Sequence, residues 1–165
     1  MTLPGHYTAR NGSGFTLIEM VITVAIVALL ATGAQPISEL VVQRAKEQQL
    51  RRSLREIRDA IDRYKRAADE GRILESSDDS GYPKRLEDLV AGVVDQKSIN
   101  RAKIYFLRRI PRDPFNPDTS SPPATTWGKR SYASPPDDPH EGKDVYDVYS
   151  LAAGKGIDGR PYRDW

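Results

Sequence analysis

The chain has 165 residues, 38% of them hydrophobic, and 25 basic residues nearly balance 23 acidic ones, so the formal net charge is only +2. This length suits one domain with a modest core, and the charge balance argues against a dominant nucleic-acid-binding surface. There is no Cys, which excludes disulfide frameworks and thiol chemistry.

The N-terminal region has the reverse order of an ordinary secretory signal. Residues 1–14 are polar, contain Arg10 and end in Gly14, and the apolar segment follows at residues 15–37, with Glu19 as its one carboxylate. A secretory signal instead places its apolar stretch before the cleavage site. As a helix, residues 15–37 would be about 34 Å long, which is enough to span a hydrocarbon core of ~30 Å.

An amphipathic helix is predicted over residues 38–71. Pro36, just before it, removes a backbone donor and predicts a kink or local melting near residues 32–36. Apolar side chains recur at spacings of four and three on one face. They are Leu50, Leu54, Ile57, Ile61, Tyr64 and Ala68. Gly71 is the predicted helix stop.

The polar part of this helix predicts a stalk. Residues 43–49 are polar nearly all round, so the helix should protrude there and enter a globular head only from Leu50 onward. The basic residues Arg51, Arg52, Arg55 and Arg58 are interpreted as ion-pairing with acidic residues of neighbouring stems.

A short helix and a few strands are predicted after the long helix. The predicted elements are a loop at 72–81, a short helix opened by Tyr82-Pro83 with Leu86, Leu89 and Val90 on its apolar side, an extended segment or strand at 104–110, strands at 127–133 and 145–151, and an irregular segment at 152–165. Proline is too dense for a helix between residues 111 and 139. The fold class is therefore α+β.

Residues 14–19 read Gly-Phe-Thr-Leu-Ile-Glu and, with the apolar run after them, resemble the processing site of the type IV pilin and pseudopilin family. The resemblance implies a leader of residues 1–14, cleavage between Gly14 and Phe15, and methylation of the new Phe15 amine. It also implies assembly into a fibre, with Phe15, Glu19 and Pro36 as assembly residues. Glu19 would pair with the methylated amine of a neighbouring subunit, because a carboxylate in hydrocarbon is costly unless it meets a cation.

Four later segments resemble the G-type pseudopilins of type II secretion, in the family's order. They are Tyr82–Leu89, Leu107–Phe115, Asp147–Leu151 and Asp164-Trp165. The fold implied is a pilin-like lollipop, in which a long N-terminal helix packs on a small antiparallel sheet. The function implied is that of a non-enzymatic pseudopilus subunit that helps to move folded proteins across the outer membrane.

The partners implied are further copies and other pseudopilins, a prepilin peptidase/methyltransferase and an inner-membrane assembly platform, with no nucleic acid. The resemblance places a single-pass anchor in the inner membrane and the head (72–165) in the periplasm. The basic residues after the span would favour the opposite orientation. The alternatives are a type IV pilin for adhesion, motility or DNA uptake, and a membrane-anchored module that never polymerises.

The G-type members commonly bind calcium in their last loop, through main-chain carbonyls and Asp side chains. Calcium takes six to eight oxygen ligands. Here Ser150, Leu151, Asp158 and Asp164 could offer part of a shell, but the favoured interpretation is an Asp-Gly turn without a cofactor. No catalytic arrangement is predicted, since His6 and His140 lack catalytic partners by pattern and no phosphate loop or nucleophile motif occurs.

Overall fold

The computed structural model describes residues 14–74, 76 and 79–165, apart from the side chains of residues 32–38. Except for Gly14, the predicted leader lies outside the described residues. The chain divides into two compact units, Met1–Val42 and Gln43–Trp165, and the second is called the head unit below.

The longest element is helix α1, Leu17–Asp69. It begins after Thr16, whose hydroxyl oxygen accepts a hydrogen bond from the Glu19 N–H at 3.3 Å, as a helix-capping residue does. The helix is assigned as a single element through residues 32–36, where a kink or local melting was predicted, and the Pro36 side chain lies outside the described residues. Within the described part of the chain, no helix combines the length and hydropathy that a membrane crossing requires.

Helix α1 ends where Gly71 was predicted to stop it. Gly71 has a φ of 69°, a left-handed conformation that glycine adopts at little cost. The N–H groups of Gly71 and Arg72 donate to the carbonyls of Ala68 and Ala67, at 2.8 and 2.9 Å. This pair of bonds is the Schellman motif, which satisfies carbonyls at the end of a helix.

The predicted apolar face of α1 forms the centre of the core in the head unit. All six predicted residues are buried: Leu50, Leu54, Ile57, Ile61, Tyr64 and Ala68. They belong to one cluster with Leu86, Leu89, Phe106, Trp127 and Val148. Each fully buried large apolar side chain contributes about 1.5–3 kcal/mol through its removal from water.

The prediction that α1 enters the head only from Leu50 onward is wrong, although most residues between 43 and 49 are exposed. Glu47 is only 8% exposed, and its carboxylate accepts hydrogen bonds from the Ile157 N–H at 2.9 Å and the Tyr162 hydroxyl at 3.1 Å. Gln43 donates to the same hydroxyl at 3.2 Å. A polar helix face can be buried when its groups find partners, and these partners lie too far along the chain for periodicity to reveal them.

Among the described residues, the strands form two separate antiparallel pairs. Strand β1 (Val93–Val94) pairs with β2 (Lys103–Ile104), and β3 (Trp127–Arg130) pairs with β4 (Asp147–Ser150). In the second pair, Trp127 lies opposite Ser150. Strands β3 and β4 confirm the two predicted strands, although each is shorter than predicted.

Two local predictions need adjustment. The helix predicted to open at Tyr82-Pro83 begins later, as α2 (Asp88–Ala91), and only Ile104 of the segment 104–110 lies in a strand. Leu86 and Leu89 are nevertheless completely buried, as predicted. A long N-terminal helix followed by small antiparallel sheets confirms the predicted α+β class and agrees with a pilin-like fold.

Candidate functional site

The predicted processing and assembly residues lie at the start of α1. Gly14 and Phe15 precede the helix, and 74% of the Phe15 surface is exposed. Glu19 is exposed and lies in the first turn of α1, where a carboxylate is favoured by the positive end of the helix dipole. The bond between Gly14 and Phe15 is therefore accessible, and an acidic group follows it within one helical turn.

The apolar side chains that follow Glu19 lie around the whole circumference of the helix. Each of the large ones is more than half exposed: Met20, Val21, Ile22, Val24, Ile26, Val27, Leu29 and Leu30. A helix that is apolar on all sides normally packs inside protein or lipid, and a large exposed apolar surface marks an interaction site. This segment therefore has a surface suited to packing against lipid or other apolar protein surfaces.

Two of the head segments singled out in the sequence contact each other through Asp113. This residue is only 3% exposed and lies in the segment Leu107–Phe115. Its carboxylate accepts hydrogen bonds from the Phe115 N–H, at 2.8 Å, and from the hydroxyl of Ser150 in β4. Asp113 thus shapes the turn around Pro114 and attaches it to the last strand, a role that the sequence motif did not specify.

Arg58 is a residue whose role was predicted incorrectly. Its Nε atom donates to the Asp147 carboxylate at 2.7 Å, and its Nη2 atom donates to the main-chain oxygens of Val148 and Trp165 at 3.0 and 2.8 Å. Arg51 also pairs within the chain, with Asp158 at 3.3 Å. The prediction that these arginines pair with neighbouring stems is therefore wrong for Arg51 and Arg58, because their guanidinium groups bind acidic and carbonyl groups of the same head unit.

Among the four candidate calcium ligands, Asp158 is the one whose carboxylate is most engaged with other groups. The Asp158 carboxylate accepts hydrogen bonds from the Arg160 N–H and guanidinium, each at 3.1 Å. The Arg160 main-chain N–H, followed by the Arg160 and Arg51 charges, holds the pKa of Asp158 below its usual value. Ser150 was predicted to act through its main-chain oxygen; its hydroxyl donates to Asp113, which leaves that prediction untested.

The other two candidates have fewer competing partners. Leu151 offers only its main-chain oxygen, and Asp164 is largely exposed, with Arg163 3.8 Å away. In the described ranges, no group of three or more His, Asp or Glu side chains could hold a metal ion. Within this donor set, the Asp158 carboxylate is poorly suited to calcium as arranged, because it already faces two guanidinium groups.

Two comparisons with known proteins bear on the class of this chain. Residues 9–35 match the family described as the prokaryotic N-terminal methylation motif. Over 147 aligned residues, the chain is 27% identical to the type II secretion system core protein G of Vibrio cholerae serotype O1. The aligned region makes up 87% of this chain and 82% of that protein. No solved structure gives a significant match. The motif and this similarity confirm the predicted resemblance: they support a pilin-like protein of the G-type pseudopilin kind.

Proposed function

We propose that this protein is a structural pseudopilin, a non-enzymatic subunit of a type II secretion-like pseudopilus. The observation that carries the proposal is the similarity to core protein G, which extends over 87% of the chain and so includes the head as well as the N-terminal motif. A type IV pilin or a non-polymerising anchored module would share the N-terminal motif alone, and the similarity in the head does not favour either.

The first step of the proposed function is processing at the exposed Gly14–Phe15 bond. A prepilin peptidase/methyltransferase removes residues 1–14 and methylates the Phe15 amine. Residues 15–37 hold the subunit in the inner membrane before assembly, with the head unit in the periplasm. The apolar surface around α1 supports this step, because such a surface is stable only in lipid or against other apolar helices.

The second step is assembly, in which Glu19 sets the register between subunits. Once the apolar segments pack together, the Glu19 carboxylate is removed from water and needs a cation. The amine of Phe15 on the adjoining subunit supplies one, so a subunit fits best when its amine meets this carboxylate. Other copies, other pseudopilins and an inner-membrane assembly platform are the partners proposed for this step.

Mass spectrometry tests the processing step directly. The protein is purified from cells with and without prepilin peptidase. We expect a mature species that begins at N-methylated Phe15 only when the peptidase is present. An uncleaved chain in both strains would refute processing, and with it the proposed function.

Substitution of Glu19 tests the assembly step. We expect Glu19→Ala to abolish fibre formation and secretion while leaving processing intact. The exposed Glu56, farther along α1 in the head unit, provides a matched control, and Glu56→Ala should assemble normally. Normal fibres and secretion with Glu19→Ala would contradict the polymer mechanism and favour an anchored module.

A further inference from the structure

We propose that the last loop, residues 151–165, is held in place by charged side chains of helix α1 and needs no calcium ion. Three residues form this helix clasp: Glu47, Arg51 and Arg58. Their spacings of four and seven put them on the same face of α1. The inference rests on contacts within the head unit and is independent of the proposed function.

Glu47 holds the middle of the loop and its short 3₁₀ helix, Tyr162–Asp164. The carboxylate accepts from the Ile157 N–H and the Tyr162 hydroxyl. Tyr162 is 3% exposed, and its ring stacks on Phe115 with 4.2 Å between ring centres. Burial raises the pKa of the Tyr162 phenol, and the hydrogen bond to Glu47 acts in the same direction. The hydroxyl therefore remains a donor, as this contact requires.

Arg51 contacts two separate points of the loop. Its guanidinium donates to Asp158 at 3.3 Å and lies over the Trp165 ring, 4.0 Å from the ring centre. A cation at this distance from an aromatic face is attracted to it. Trp165 also packs edge-on against Tyr162, with 5.1 Å between the ring centres. One arginine therefore connects Asp158, Trp165 and α1.

Arg58 completes the clasp at the end of the loop. It donates to the main-chain oxygen of Trp165 and, at the same time, to β4 through Asp147 and Val148. The loop also closes on itself, because Gly156 and Arg160 are hydrogen-bonded at 2.8 Å between main-chain atoms and Lys155 forms a bridge to Pro161. Charged side chains thus perform the cross-linking that a bound cation would provide.

The charges around Asp158 explain why calcium would not improve this arrangement. Calcium sites depend on several uncompensated oxygen ligands. Here the Asp158 carboxylate is already compensated by Arg51 and Arg160, so an incoming divalent cation would have to displace both guanidinium groups or lie beside them. A calcium ion bound beside these guanidinium groups would be repelled by their positive charge. Arg51 and Arg160 supply the positive charge at Asp158 that a calcium ion would otherwise supply.

Calcium titration of the full chain in detergent micelles tests the proposal. Thermal unfolding is recorded with excess calcium chloride and with excess EGTA, and calcium binding is followed by calorimetry. We expect identical unfolding midpoints and no saturable heat. A midpoint that falls in EGTA, or a saturable calcium isotherm, would overturn the proposal.

Hydrogen exchange of the last loop tests the clasp itself. We expect Arg51→Gln to speed exchange in residues 151–165 by roughly tenfold, because it removes a charge-assisted hydrogen bond and a cation–π contact. The exposed neighbour Arg52 gives the control, and Arg52→Gln should exchange like the unaltered chain. Equal exchange in both variants would refute the clasp.

A second variant tests the same ion pair independently, in case Arg51→Gln misfolds. Asp158→Asn removes the charge from the other side of the same pair and should accelerate exchange in the same residues. Combined with Arg51→Gln, it should give less than the sum of the two single effects, because the shared ion pair is lost only once, whereas the contacts of Arg51 with Trp165 and of Asp158 with Arg160 are separate. Fully additive effects would mean that Arg51 and Asp158 act separately, which would contradict the clasp.

Discussion

Replacing Arg58 by Met should destabilise the head unit strongly. The substitution keeps the aliphatic length of the side chain but removes the donors to Asp147, Val148 and Trp165. Hydrogen bonds that involve a charged group contribute about 1.5–3 kcal/mol each. Three such bonds would set an upper range of about 4.5–9 kcal/mol if they were additive and fully buried.

Two features of the structure reduce that range. The side chains of Arg58 and Asp147 are 35% and 29% exposed, so water screens their interaction. Asp147 also keeps the Val148 N–H as a donor and Arg130 at 3.8 Å, so it is not left without partners. We therefore expect a loss of about 3 kcal/mol in the free energy of unfolding, or roughly 10 °C in the midpoint for a unit of this size.

Urea denaturation of the full chain in detergent, followed by circular dichroism, measures this loss. Arg55 is exposed and lies one turn earlier on α1, so Arg55→Met is the matched control, with an expected change within about 0.5 kcal/mol. If Arg58→Met lowered stability by less than ~1 kcal/mol, the reasoning that Arg58 joins α1 to β4 and the last loop would be refuted.

Three further effects on stability follow from the head unit. Leu54→Ala should cost about 3 kcal/mol because the side chain is buried in the core, whereas Leu74→Ala, at an 81% exposed position, should change thermal stability little. Gly71→Ala should lower the free energy of unfolding by about 1 kcal/mol, as measured by urea denaturation. Nothing lies within 4 Å of the added methyl group, so the cost is that of the positive φ alone. The Arg72 guanidinium lowers the pKa of Asp95, so this carboxylate contributes stability above its unfolded pKa of about 3.9 that is lost as pH falls through the folded value. Arg72→Gln should flatten the acid limb of a plot of stability against pH, and an unchanged acid limb would exclude this pair as its source.

The buried face of α1 shows what local pattern can predict. Residues such as Leu50, Ile57 and Ile61 were placed in the core correctly, because 3.6-residue periodicity puts them on one side of any helix they form. Gly71 was also placed correctly, since its left-handed conformation depends on its own missing side chain. Predictions succeeded where the physical cause lies within a few residues along the chain.

The shorter elements show where local pattern fails. Strands β1 and β2 have two residues each and pair across a connection from Val94 to Lys103. Neither strand is long enough to show an alternation of apolar and polar residues. The Tyr82-Pro83 segment resembled the start of a helix, but the main chain there is used otherwise: the Pro83 carbonyl accepts from the Val145 N–H at 2.8 Å. Hydrogen bonds to distant segments outweigh weak local preference.

The amino-acid sequence by itself determined the N-terminal motif around Gly14, Phe15 and Glu19 and the α+β class, because a short sequence motif and an amphipathic period are properties of neighbouring residues. Only the tertiary structure decided what the polar side chains of α1 do. Glu47 and Arg51 face groups more than 100 positions away, separated by 110 and 107 residues. Whether a charged side chain is solvated or holds a loop depends on which distant donors and acceptors the fold brings to it, and no local pattern carries that information.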